Sequence, residues 1–146
     1  MNELEKKVVK ALQEEFPICE KPFEEIGKRF GISEKEVVEI LKKGLDSGII
    51  RHFGASVNTR KLGYYTCLCA TSIPEDRLDM VEEIASHPQI THAYLRDHHL
   101  NFWFATLTPS KEDFENFVKH LEHKYQIKIL SFPTKKKFKV KAVFNI

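Results

Sequence analysis

The sequence predicts an α+β protein in two parts, a helical first third followed by strands and helices in alternation. Three observations carry that prediction. Apolar residues recur at helical spacing three times before Gly48, and each run is bounded by a capping or turn residue. Runs rich in aromatic and small apolar residues follow, separated by amphipathic stretches. Between the two parts, residues 54–63 are small and polar at both ends, as suits a domain boundary.

The first helix is expected over residues 3–15, where Leu4, Val8, Ala11 and Leu12 share a face and Pro17 ends the run. Pro22 opens a second helix through Phe30, with Phe23, Ile26 and Phe30 inward and Gly31 suited to a left-handed helix end. Ser33 and Glu36 have the spacing of a capping box, so a third helix starts there, buries Val37, Leu41 and Leu45, and stops near Gly48. Three helices with a Gly-containing turn between the second and third form a helix-turn-helix. A short strand over residues 49–53 would make it winged, and this first domain is expected to span residues 1–57.

Residues 64–72 read as a strand and residues 76–86 as a helix with Leu78, Val81 and Ala85 on one face. Strands follow over residues 90–96 and 101–108, joined by a tight turn at Asp97-His98-His99. Ser110 caps an amphipathic helix carrying Phe114, Phe117, Val118, Leu121 and Tyr125, and segments 127–131 and 138–144 complete the sheet. The order β-α-β-β-α-β is that of a ferredoxin-like domain, expected over residues 58–146, with four antiparallel strands and both helices on one side. The other sheet face stays bare. Strands as apolar as Phe102-Trp103-Phe104-Ala105 would expose a large patch there, so a dimer, homo- or hetero-, is expected.

Composition narrows the class. The 146 residues are 42% apolar and 30% charged, the balance of a globular protein rather than a disordered one. No apolar run approaches the roughly 20 residues needed to cross a bilayer, and the N-terminus lacks a secretory core, so a cytoplasmic protein without membrane partners is expected. The net charge of +2 is spread evenly over both parts, whereas a nucleic-acid reader commonly concentrates basic charge. Cys19, Cys67 and Cys69 form no Cys-x-x-Cys pair and read as small buried hydrophobes in a reducing compartment, not as a metal site. Lys137, Lys139 and Lys141, on one face of the last expected strand, read as a solvated edge or as a contact for an anion.

The residues that carry chemistry lie in the hairpin. Between His92 and Phe104 stand three imidazoles, a guanidinium, a phenol and an indole. Histidine titrates near neutrality, so its clustering beside arginine points to proton transfer or metal contact rather than packing alone. His92, Tyr94 and Arg96 are spaced by two and share a strand face, which is also what the polar face of an amphipathic strand looks like. His120 and His123 sit three apart on a helix, a solvated face before a metal site, and His87 before Pro88 reads as a helix terminus.

Two resemblances extend over nearly the whole chain. A helix-turn-helix joined to a ferredoxin-like domain through Gly-Ile-Ile-Arg-x-Phe-Gly-Ala and Lys61-Leu62-Gly63-Tyr64 resembles the leucine-responsive (Lrp/AsnC) regulators. That resemblance implies a DNA-reading first domain and a second domain that dimerises and senses small molecules. The third helix opposes the DNA role: its first turns offer Glu34, Lys35, Glu36 and Glu39 and no arginine, which sets carboxylates against phosphates. The order His92, Tyr94, Arg96, His98, Asn101, Trp103, Phe104, with Arg51-x-Phe53-Gly54-Ala55 and the stretch from Phe132-Pro133-Thr134-Lys135 to Phe138-Lys139, is similar to the sirohaem decarboxylase subunits, which share this architecture. His52 and Leu100 depart from that pattern, standing where a second arginine and an aromatic residue are implied.

The second resemblance implies an enzyme, a carboxy-lyase that removes CO2 from the acetate arms on rings C and D of sirohaem to give didecarboxysirohaem, on the way to haem or haem d1. It implies no cofactor beyond the iron tetrapyrrole, which is itself the substrate, and no metal site built by the protein. Arg51, Arg60 and Arg96 are then candidate carboxylate clamps, because a guanidinium pairs with a carboxylate through two parallel bonds. Tyr94, Asn101 and Trp103 are candidate substrate contacts. His98 is the candidate proton donor, and His92 is a second donor or an axial iron ligand. The partner expected is a homologous second subunit or a second copy. A regulator of the Lrp/AsnC type and a haem-binding sensor are the competing readings.

Overall fold

The computed structural model describes residues 1–146. Its first three helices are α1 (Glu3–Glu14), α2 (Pro22–Phe30) and α3 (Glu34–Asp46), each set by its termini. Asn2 accepts the Glu5 N–H at 2.8 Å while the Glu5 carboxylate accepts the Asn2 N–H at 2.8 Å. Ser33 and Glu36 repeat that exchange at α3, at 3.2 and 2.8 Å, and the Ser33 N–H and hydroxyl, both donated to the Glu36 carboxylate, hold it below the usual carboxylate range. Pro22 occupies the first turn of α2, and Gly31 ends that helix at φ 67°. Val8, Leu12, Ile26, Val37 and Leu41 meet in the core, flanked by Phe16, Phe23 and Phe30.

Gly27 is what lets the turn close. A Cβ there would lie 2.5 Å from the Ile32 carbonyl oxygen, a backbone atom that cannot swing aside. Gly27→Ala would gain about 1 kcal/mol of helix propensity, but overpacking costs typically about 1–3 kcal/mol and prevails where backbone is struck. The expected outcome is a net loss of up to about 2 kcal/mol, measured as a lower urea midpoint by far-ultraviolet circular dichroism.

Residues 49–53 do not form the expected strand. Gly48, at φ 73°, turns the chain back, the Ile50 N–H bonds the Gly44 carbonyl at 2.9 Å, and no second strand is present in this unit to pair with it. The helix-turn-helix therefore carries no strand wing. Leu45, expected in the core, is exposed.

The second part contains β1 (Tyr65–Thr71), α4 (Asp79–Ala85), β2 (Ile90–Leu95), β3 (Phe102–Thr108), α5 (Lys111–Tyr125) and β4 (Ile129–Phe132). Every neighbouring pair in the sheet order β2-β3-β1-β4 is antiparallel, which is the ferredoxin-like arrangement. Cys67, Cys69, Phe102 and Phe104 point to the helix side and pack with Met80, Ile84, Phe114, Phe117 and Leu121. Buried Thr106 donates to the Cys67 carbonyl at 3.1 Å, and Thr71 to that of Lys128 at 2.7 Å. Burial pushes the Cys67 thiol up and that of Cys69 to about 12, which makes both poor nucleophiles. Cys19, by contrast, is exposed.

Two expectations for this part are corrected. A short 3₁₀ turn at Glu75–Arg77 delays the start of α4, so Met80 and Ile84 are buried while Leu78 is exposed. Residues 138–144 form no strand; β4 already pairs with β1 at that edge. The chain groups instead into Met1–Ala55 with Lys139–Ile146, and Ser56–Phe138. In the first unit the Gln13 amide brackets Phe144, donating to its carbonyl at 3.2 Å and accepting its N–H at 3.0 Å. Lys10 donates to Asn145 at 3.0 Å beside it. Residues 139–146 thus group with the helices.

Candidate functional site

Strand register arranges the sheet face opposite the helices in two rows. His92, Ala105, Leu68 and Phe132 form one; Tyr94, Trp103, Ala70 and Leu130 form the other. Ala70 is small enough for Trp103 to reach across β1 and stack on Phe132, at 5.5 Å between ring centroids and 22° between planes. The Arg96 guanidinium, one residue past β2, lies 4.9 Å from the Tyr94 ring centroid and 5.8 Å from that of Trp103. Sequence spacing placed His92, Tyr94 and Arg96 on one side of the sheet, and they are there. A flat apolar platform with a cation above it is the result.

The chain has five arginines. Arg29 pairs with Glu15 at 2.8 Å and Arg77 donates to the Tyr125 carbonyl at 3.1 Å. Arg51, Arg60 and Arg96 are exposed and take part in none of the ion pairs. Arg60 lies on the short 3₁₀ helix Thr59–Leu62 of the sheet unit, and Arg51 follows α3 in the helical unit. Each has its fork of donors free for a carboxylate.

The hairpin tip holds His98 and His99 with ring centroids 4.0 Å apart, both exposed. The Leu100 N–H donates to His98 Nδ1 at 3.2 Å, so in the neutral ring the proton resides on Nε2. Below the tip, the Trp103 indole N–H donates to the Leu100 carbonyl at 2.7 Å. His92 places Nδ1 3.1 Å from the Thr91 hydroxyl. It borders a shallow depression of ≈ 360 Å³ whose walls include Thr59, Thr66, Thr91 and Leu68.

Asn101 sits differently from its expected place among substrate contacts. Its Oδ1 accepts the Ile73 N–H at 2.8 Å and its Nδ2 donates to the Ile73 carbonyl at 2.8 Å, which fastens the hairpin to the end of β1 and occupies both ends of the amide. His87 is more than a helix terminus: its ring packs edge-on against Phe117, Nε2 lies 3.4 Å from the Tyr125 hydroxyl, and burial pushes its pKa down. His120 and His123 are exposed. No group of three or more His, Cys, Asp or Glu side chains is arranged to hold a metal ion.

Sequence reading passed over Phe132 as a platform member, the depression beside His92, and Ser72, whose hydroxyl donates to the His99 carbonyl. Phe132 stood in a stretch already singled out. The other contacts exist only once distant strands are paired.

No helix is long and apolar enough to cross a membrane. Residues 5–51 match the siroheme decarboxylase NirDL-like HTH domain, and residues 61–139 match the AsnC-like ligand binding domain. The LrpC protein of B. subtilis has the same fold, with a TM-score of 0.76 over 97% of this chain and 99% of that one; at 16% identity the likeness speaks for fold alone. A crystal structure of the siroheme decarboxylase NirDL in complex with an iron-uroporphyrin III analogue gives a TM-score of 0.72 at 27% identity, over 89% of this chain and 43% of that one. The siroheme decarboxylase alpha subunit of Desulfovibrio desulfuricans is 33% identical across 100% of this chain and 85% of its own length. A regulator-like scaffold, a cationic aromatic platform in place of a plain hairpin, and that full-length similarity agree: the chain belongs to the sirohaem decarboxylase family.

Proposed function

We propose that this chain is a catalytic subunit of a cytoplasmic sirohaem decarboxylase that converts the acetate arms on rings C and D of sirohaem to methyl groups. The observation that carries the reading is the Tyr94–Arg96–Trp103–Phe132 platform, with His98 linked to Trp103 through hydrogen bonds to Leu100. A planar polycarboxylate needs flat apolar contact and a cation within reach of its carboxylates, and the platform with Arg96 over it supplies both. The NirDL protein, named as a siroheme decarboxylase and solved with an iron-uroporphyrin analogue, supports the same class of ligand.

In the step proposed, the bond between the acetate CH2 and its carboxylate breaks and CO2 departs. The electron pair left on carbon delocalises into the tetrapyrrole, so no further cofactor is called for, and one proton completes the methyl group. Arg96 and Arg60, both in the sheet unit, orient the substrate through carboxylates that do not react. A clamp on the reacting carboxylate would stabilise the ground state as well. His98 delivers the proton from Nε2 of the neutral ring, the nitrogen left free by the Leu100 N–H, and solvent at the exposed tip returns a proton to it. His92 serves as a second donor or as an axial iron ligand. Asn101 holds the hairpin rather than the substrate. Relatives carry subunit names, alpha, NirD and NirG among them, which supports a homologous partner or a second copy.

Anaerobic incubation of the purified chain with sirohaem, alone and with its co-purifying partner, is expected to yield products lighter by one and then two CO2 by mass spectrometry. Unchanged mass in both arms would overturn the decarboxylase reading; uptake of the pigment without turnover would leave a tetrapyrrole-binding sensor. The regulator reading is opposed by Glu34, Glu36 and Glu39 in the first turns of α3.

A further inference from the structure

β1 ends at Thr71, and the residue after it reaches into the hairpin that carries the proposed proton donor. The Ser72 hydroxyl donates to the carbonyl of His99. That carbonyl and the Leu100 N–H belong to one trans peptide group, and the Leu100 N–H is the donor to His98 Nδ1 at 3.2 Å. Because the peptide is planar, a hydroxyl holding its oxygen also fixes where its N–H points. Hydrogen bonds in series polarise one another, so the Ser72 bond strengthens the Leu100 bond as well as aiming it. The neighbouring residue confirms that the segment serves as an anchor, since Ile73 is tied to Asn101 on both its N–H and its carbonyl.

We propose that Ser72 is a positioning residue for His98. By holding the 99–100 peptide plane it keeps Nδ1 as the acceptor, Nε2 as the protonated nitrogen, and the ring aimed in one direction. The inference rests on the reading of His98 as proton donor, yet its central claim, control of the His98 tautomer, can be measured without any turnover. Ser72 lies at the surface, where loss of a hydroxyl leaves no cavity, and its replacement by Thr retains the donor.

The test compares wild type, Ser72→Ala and Ser72→Thr in the full-length protein, with its partner if one co-purifies. Nitrogen-15 NMR of labelled histidine at a pH where the ring is neutral is expected to show His98 as the Nε2–H tautomer in wild type, a mixture in Ser72→Ala, and recovery in Ser72→Thr. In the anaerobic sirohaem assay Ser72→Ala is expected to lower kcat on the order of tenfold to a hundredfold with KM unchanged, as misaimed catalytic groups do, and Ser72→Thr to restore it. An unchanged His98 tautomer in Ser72→Ala overturns the proposal, as does an unchanged kcat. A wild-type protein without turnover would overturn the decarboxylase reading instead, and the NMR signal would still decide the role of Ser72.

Discussion

His98→Ala is expected to lower sirohaem turnover by about a hundredfold or more, within the range that general acid help supplies, and to leave binding of the macrocycle intact. The side chain projects from an exposed tip and makes no buried contact, so its loss does not disturb the core. Arg96, Tyr94 and Trp103, the proposed substrate contacts, remain in place. The checks are single-turnover kinetics by product mass and an absorbance titration of the bound pigment. His92→Ala provides the contrast: it sits one row away beside the Thr-walled depression, so as second donor it should cost less. Wild-type rates in His98→Ala, with a collapse in His92→Ala, would exchange the two roles.

Asn101→Ala is expected to lower stability by about 2–4 kcal/mol, because removing one amide leaves two buried backbone groups of Ile73 unpaired at about 1–3 kcal/mol each, with some relaxation. Ile73 is only 3% exposed, so water cannot readily replace the lost partner. Asn101→Asp keeps the acceptor but turns a carboxylate toward the Ile73 carbonyl, and a similar loss is expected. Urea unfolding followed by the sheet unit's signal measures both. A side chain that only contacted substrate would behave in the opposite way, with stability preserved and KM raised.

The parts of this fold that were legible in the sequence are those fixed by local chemistry. Ser33 with Glu36, Pro22, Gly31 and Ser110 mark helix ends through bonds made within a few residues, and they lie where the spacing placed them. The period-two arrangement of His92, Tyr94 and Arg96 likewise survives folding, because a strand alternates its side chains regardless of its neighbours. Residues 49–53 and 138–144 have a similar local pattern and are not strands. A strand exists only if an edge is available to pair with, and that depends on residues far away in sequence. Asn101 and Ser72 were illegible as anchors for the same reason: their partners lie 28 and 27 positions away. The three free arginines show an intermediate case. Their type suggested the role, but only the full set of ion pairs and hydrogen bonds shows that Arg29 and Arg77 are engaged while the others are not.

The chain's single tryptophan is the residue stacked on Phe132 beneath Arg96. Indole emission from this protein therefore originates at one spot, the platform itself. A coloured guest settling there would dim that light at nanometre range, so the molecule comes with its own optical gauge of occupancy.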